Sequence, residues 1–204
     1  MIELLYLIIA LAVCVSVHEA SHAWVAWKLG DPTAKIEGRV SLNPLRHLDL
    51  LGTLMIFLVH FGWGKPVPFN ERNLKHPRRD SALIALAGPG ANLLTAMLLS
   101  VIIRYTPLPS MGVEIVRAIF SLSLVLFLFN LIPIAPLDGS KLVGLIVPEK
   151  YDYQYQQFLA KGPVILILLI VGDRLLQEIS GFSILGSYLQ FGYELITMGL
   201  FLII

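Results

Sequence analysis

Charge is scarce in this sequence. Of 204 residues only 14% are Asp, Glu, Lys or Arg, 56% are hydrophobic, and the net charge is +1 at pH 7. A chain so poor in charge is too apolar for an ordinary soluble domain, and a net charge of +1 gives no sign of a polyanion partner, so no nucleic-acid partner is expected. Cysteine is nearly absent as well: Cys14 stands alone, which excludes an internal disulfide. Ahead of the first apolar run there is neither a basic n-region nor an A-x-A-like cleavage site, so that run is expected to be retained. No internal repeat and no appended soluble segment is evident, and residues 1–204 are expected to form a single membrane-embedded domain. With a mean hydropathy of +0.77, the chain has the composition of a polytopic membrane protein.

What is abundant is long apolar sequence. The first run extends from Ile2 to Leu29. At ~1.5 Å per residue it is long enough to cross a ~30 Å hydrocarbon core. It stops at Gly30-Asp31-Pro32, with Trp24 and Trp27 placed as interfacial anchors. Lys35 to Leu42 then alternates polar and apolar residues, which predicts a short strand or hairpin. Leu50 to Phe61 is apolar but too short to span, so a re-entrant or interfacial segment is expected there, followed by an extended stretch over Gly62 to Pro68. Arg72 to Arg79 is basic. Ser81 to Tyr105, with Asp80 as its expected N-cap, and Val113 to Leu131 predict two further helices. The latter breaks at Ile132-Pro133-Ile134-Ala135-Pro136-Leu137-Asp138-Gly139, since two prolines three apart cannot sit in an undisturbed helix. A polar loop is expected over Glu149 to Gln157, then apolar segments over Pro163 to Leu176 and Ile184 to Ile204. The expected fold is all-α and polytopic, with about five to six membrane segments and a small β element after the first helix.

Lysine and arginine placement predicts orientation. Only Arg104, Arg117 and Arg174 lie outside the stretches Lys28 to Arg79 and Asp138 to Lys161, which therefore hold 12 of the 15 basic residues. By the positive-inside rule those stretches face the cytoplasm of a cell membrane and the N-terminus is external.

The chemistry is carried by His18-Glu19-Ala20-Ser21-His22. Histidines four apart share one helix face and can bind one zinc ion, and the glutamate between them can handle the proton of a water. If the apolar core begins near Leu4, His18 lies roughly 20 Å in and about 10 Å from the far, cytoplasmic boundary. A hydrolytic zinc site needs a third protein ligand and an open position. Asp138, an ionisable residue beside a helix break in apolar sequence, is the candidate. Zinc at +2 with Asp138 and Glu19 at −1 each sums to about zero, so the cluster is desolvated more cheaply than any member alone. Zinc lowers the pKa of its water toward ~7, and Glu19 would act as base and then as acid to a leaving amine. The predicted reaction is peptide hydrolysis. Other readings stand beside these. Cys14, one turn before His18, is an alternative ligand or a packed apolar residue; Asp138 is alternatively an N-cap; Asn92 is alternatively a helix-packing amide. His47 and His60 read as a loop residue and a membrane-surface residue, and His47 is placed where it could reach the site. For the whole chain, a metal transporter or an inactive membrane scaffold is the alternative.

Taken in order, His18-Glu19-Ala20-Ser21-His22, Ala87-Gly88-Pro89-Gly90-Ala91-Asn92 and Asn130 through Gly139 resemble the site-2 protease family of intramembrane zinc metalloproteases. Gly38 through Pro44 with His47, and Lys65-Pro66-Val67-Pro68, resemble its compact prokaryotic branch without a PDZ domain; Leu50 departs from the proline common after the aspartate in that branch. The resemblance implies that His18, His22 and Asp138 bind one zinc ion per chain, that Glu19 is the catalytic glutamate, and that Asn92 helps hold substrate or stabilise an oxyanion. It implies a membrane-anchored protein as substrate, with the bilayer as surroundings and a second copy of the chain left open as a partner. The strand expected over Lys35 to Leu42, with Val40 at its edge, is the candidate surface for an unwound substrate to pair with.

Overall fold

The computed structural model describes residues 2–49, 52, 54–55 and 64–203 of the chain. Its elements, in order, are the helices α1 (Ile2–Lys28), α2 (Thr33–Ile36), α3 (Pro77–Tyr105), α4 (Ser110–Asn130), α5 (Gly139–Ile146), α6 (Asp152–Ser180) and α7 (Ile184–Ile203). Short 3-10 turns at Pro44–Arg46, Glu71–Asn73 and Glu149–Tyr151 join them. Helices α1, α3 and α4 are long and apolar enough to cross a membrane, with mean hydropathies of 2.0, 1.8 and 2.1. The larger number of membrane segments expected from the sequence is therefore met for three helices among the described residues. The expected re-entrant run Leu50 to Phe61 and His60 lie, but for a few positions, outside the described residues.

Helix α1 packs chiefly against α3 and α4. Its buried side is made of small residues, Ala10, Cys14, Ala20, Ala23 and Ala26, which let neighbouring backbones come close. Cys14 Sγ lies 3.2 Å from Ser123 Oγ of α4, so the thiol is spent on helix packing. Ala96 of α3 and Phe120 and Leu124 of α4 form a core cluster that Tyr193 and Leu200 of α7 cover. Ser121 Oγ and Tyr193 OH, 2.9 Å apart, fix that cover in place.

The strand or hairpin expected over Lys35 to Leu42 is not formed, and the described residues hold no strand, only an isolated antiparallel bridge between Leu48 and Gly64. The cause is Asp31. Its Oδ1 accepts from the amide and hydroxyl of Thr33, a side-chain turn that leads through Pro32 into α2 ahead of the stretch where the alternation predicts extended chain. Gly38 then turns the chain at φ +69, a conformation that glycine adopts without strain. Helix α3 also begins earlier than expected. His76 is its N-cap, Pro77 opens the first turn, and Asp80 Oδ2 accepts from the His76 amide at 2.8 Å from inside the helix. The polar loop expected over Glu149 to Gln157 is a 3-10 turn running into the first turns of α6, which continues through Pro163 to Ser180.

The two stretches rich in basic residues meet at one end of the helices. Arg78 pairs with Asp152 and donates to the Val147 carbonyl at 2.9 Å, and Lys141 Nζ lies 3.2 Å from Glu71 Oε1. Tyr155 OH donates to Ser140 O at 3.0 Å, tying α6 to α5. That end carries the site.

Candidate metal centre

His18 and His22 lie on the buried face of α1, each 7% exposed, with ring centroids 4.6 Å apart. Asp138 reaches them from the break after α4. Among Leu131 to Asp138 the freed backbone is satisfied by tight turns: Leu131 N to Leu128 O, Ile132 N to Phe129 O, and Leu137 N to Ile134 O. Gly139 makes this compact arrangement feasible, since a Cβ there would stand 2.4 Å from Leu131 O and 2.5 Å from Ile132 O. Asp138 occupies the N-cap position of α5, yet its side chain makes no capping hydrogen bond. It points instead at the histidines.

The three side chains fit a tetrahedral metal on two observations. Asp138 Oδ2 lies 3.1 Å from His18 Nε2 and 3.3 Å from His22 Nε2, and the three candidate ligand atoms all fall within 4.8 Å of one another. Tetrahedral zinc with bonds of about 2.0–2.1 Å spaces its ligand atoms by about 3.3 Å. Despite those short distances Oδ2 has no hydrogen bond of proper geometry, so the three candidate ligand atoms converge without pairing with one another. The second observation is Gly88 on α3. A Cβ at this residue would stand 2.3 Å from His22 Nε2 and 2.6 Å from His18 Nε2, so the absent side chain leaves room beside both ligand atoms. Sequence reading found the Gly88-Pro89 motif but not this reason for it.

Supporting contacts hold the rings. His22 Nδ1 donates to the Ile84 carbonyl of α3 at 2.6 Å, which leaves Nε2 with its lone pair. His18 Nδ1 lies 3.2 Å from the Asn92 side-chain amide. Asn92 is wholly buried and does not line the cavity described next.

That cavity, of about 680 Å³, is lined by His18, Glu19, His22 and Asp138. Its other walls are largely apolar, including Leu11, Val15, Leu126, Phe129 and Leu166, with Gly64, Pro66, Val67 and Phe69 along one side. A buried pair absent from the sequence-based site fixes that side. Arg39 donates to the Lys65 carbonyl, and the His47 carbonyl accepts from the Lys65 amide at 2.7 Å. His47 is a wholly buried residue whose Nε2 donates to Ser41 O at 2.6 Å, so it stands outside the ligand cluster. Burial, reinforced by the charge of Arg39, pushes its pKa down. Val40 lines a separate groove with Ser21 and Trp24, and the strand edge on which its substrate role depended is absent.

The profile of Peptidase family M50 matches residues 6–119 and 109–170, which takes in both halves of this site. The chain belongs to peptidase family M50. Among similar proteins, YwhC of Bacillus subtilis, provisionally named a zinc metalloprotease, is 39% identical over 180 residues, covering 81% of this chain and 80% of its own length. Rip2 of Mycobacterium tuberculosis, named in the same provisional way, is 34% identical over 135 residues, 62% of this chain and 51% of its own. The zinc metalloprotease MJ0392 of Methanocaldococcus jannaschii is 27% identical over 169 residues, 81% of this chain and 42% of its own. The chain thus spans most of YwhC and about half of Rip2. No solved structure matches it. Family membership makes this a membrane metalloprotease and accords with the site-2 protease resemblance of its motifs.

Proposed function

We propose that this M50 chain is a zinc-dependent intramembrane endopeptidase. It hydrolyses peptide bonds in or near the transmembrane segments of membrane-anchored proteins, as in regulated intramembrane proteolysis. The observation that supports this best is the convergence of His18, His22 and Asp138, with Glu19, on one cavity among membrane-capable helices. His18, His22 and Asp138 are the residues that would hold one zinc ion. A zinc ion held there would supply Lewis acidity, the chemistry that makes water available as a nucleophile near neutral pH. Glu19 takes the proton of the attacking water and returns it to the leaving amine. Asn92 joins the active site through its 3.2 Å contact with His18.

The apolar walls suit a hydrophobic segment, whose peptide bonds must first leave their helical hydrogen bonds to be attacked. Arg78–Asp152 and Lys141–Glu71 gather the basic loops at the site's end of the helices, and we assign that end to the cytoplasmic side, with the N-terminus external. The test uses the purified chain in lipid with a membrane-anchored test protein. Glu19→Gln is expected to keep its zinc and lose cleavage. Undiminished cleavage by Glu19→Gln, or none by the native chain, overturns the proposal, and metal flux that survives the substitution points to a transporter.

A further inference from the structure

The two ligand histidines are held differently at Nδ1. His22 faces the Ile84 carbonyl, which can only accept, so Nδ1 carries the proton and Nε2 keeps its lone pair toward Asp138 and Gly88. His18 faces Asn92 Nδ2 at 3.2 Å, while Asn92 Oδ1 is buried with no partner. An N–H donated to His18 Nδ1 requires a lone pair there. The neutral ring would then carry its proton on Nε2, aimed at Asp138 Oδ2 in the middle of the ligand cluster. A ring in that tautomer has its lone pair at Nδ1 and none at Nε2, the atom that faces the other two candidate ligands.

Amide oxygen and nitrogen have nearly the same size, and turning the group by 180° leaves packing unchanged. The turn exchanges one unpartnered atom for another, so orphan counting does not decide the orientation; the tautomer of His18 does. We propose that Asn92 Oδ1 accepts the Nδ1 proton of His18, fixing the tautomer that offers Nε2 to the metal. Asn92 is then a positioning residue acting through His18, in keeping with its complete burial and its place outside the cavity lining. Helix α3 serves both rings in one way, with the Ile84 carbonyl for His22 and the Asn92 amide oxygen for His18. This inference rests on the zinc reading of the site.

The test measures zinc affinity of the purified full chain by competition with a chelator. Asn92→Leu, close in shape but without an acceptor, is expected to weaken zinc binding about 10–100-fold. Asn92→Asp has acceptors only and is expected to bind zinc within about threefold of the native chain or more tightly. Native-like affinity in Asn92→Leu overturns the inference, as does equal loss in a folded Asn92→Asp. Should the aspartate variant fail to fold, nitrogen-15 spectra of the zinc-loaded native chain decide, with His18 assigned by comparison with His18→Gln. A proton on Nδ1 supports the inference and a proton on Nε2 overturns it. A native chain that binds no zinc overturns the metal reading itself, a result distinct from the loss of discrimination between the two variants.

Discussion

Gly88 on α3 faces His22 on α1 so closely that a Cβ at position 88 would lie 2.3 Å from Nε2. The neighbour is a ring held at its other nitrogen by Ile84 O, so it has little freedom to swing away. Gly88→Ala is therefore expected to force the rings or the two helices apart and lower zinc affinity by at least the ~10–100-fold typical of losing a supporting contact. The helix itself should persist, because alanine favours it over glycine by about 1 kcal/mol. Metal analysis with circular dichroism checks this: a helical variant with native zinc affinity contradicts it.

The metal-binding face was legible in sequence because its logic is local. His18 and His22 share a face by helical periodicity, and Asp138 stands where Pro133 and Pro136 break a helix. The long apolar helices were legible for the same reason, although α3 starts at Pro77 because Asp80 caps from within. The reading failed over Lys35 to Leu42, where alternation mimicked a strand while the Asp31–Thr33 contact led into a helical turn. Long-range roles were hidden. Nothing in the sequence places Ile84 O on His22, turns the Asn92 amide toward His18, or buries Arg39 and His47 behind the cavity wall.

Asp31 makes the loops after α1 sensitive to acid. Burial raises its pKa, but hydrogen bonds from Thr33, from Asn73 Nδ2 at 2.7 Å and from Asn70 N at 2.6 Å outweigh that and hold it below the ordinary 3.8. A carboxyl depressed on folding contributes stability that is fully present above the unfolded pKa and is lost as pH falls through the folded value. Asp31→Asn is expected to lower the thermal midpoint near pH 6, and the gap from the native chain should close as pH drops below about 4. Melting curves across that range check it; a gap that stays constant with pH rules out the carboxylate as its source.

The last expectation concerns the wall beside Glu19. Arg39 holds the carbonyl and His47 the amide of Lys65, next to Gly64, where a Cβ would lie 3.8 Å from Glu19 Oε1. Lys65 is thus pinned on both sides by buried groups, and Gly64 through Phe69 inherit that fixed position along the cavity. Arg39→Met keeps the bulk of the side chain and removes the donor, leaving a carbonyl without its partner at a cost of about 1–3 kcal/mol. Because His18, His22 and Asp138 come from α1 and the break before α5, zinc content should be unchanged. If the segment helps seat the substrate, KM for a membrane-anchored substrate should rise about 5–150-fold, the equivalent of that local cost, with a smaller change in kcat. Steady-state cleavage assays with parallel metal analysis separate the outcomes: an unchanged KM in a folded, zinc-replete Arg39→Met removes this segment from substrate binding.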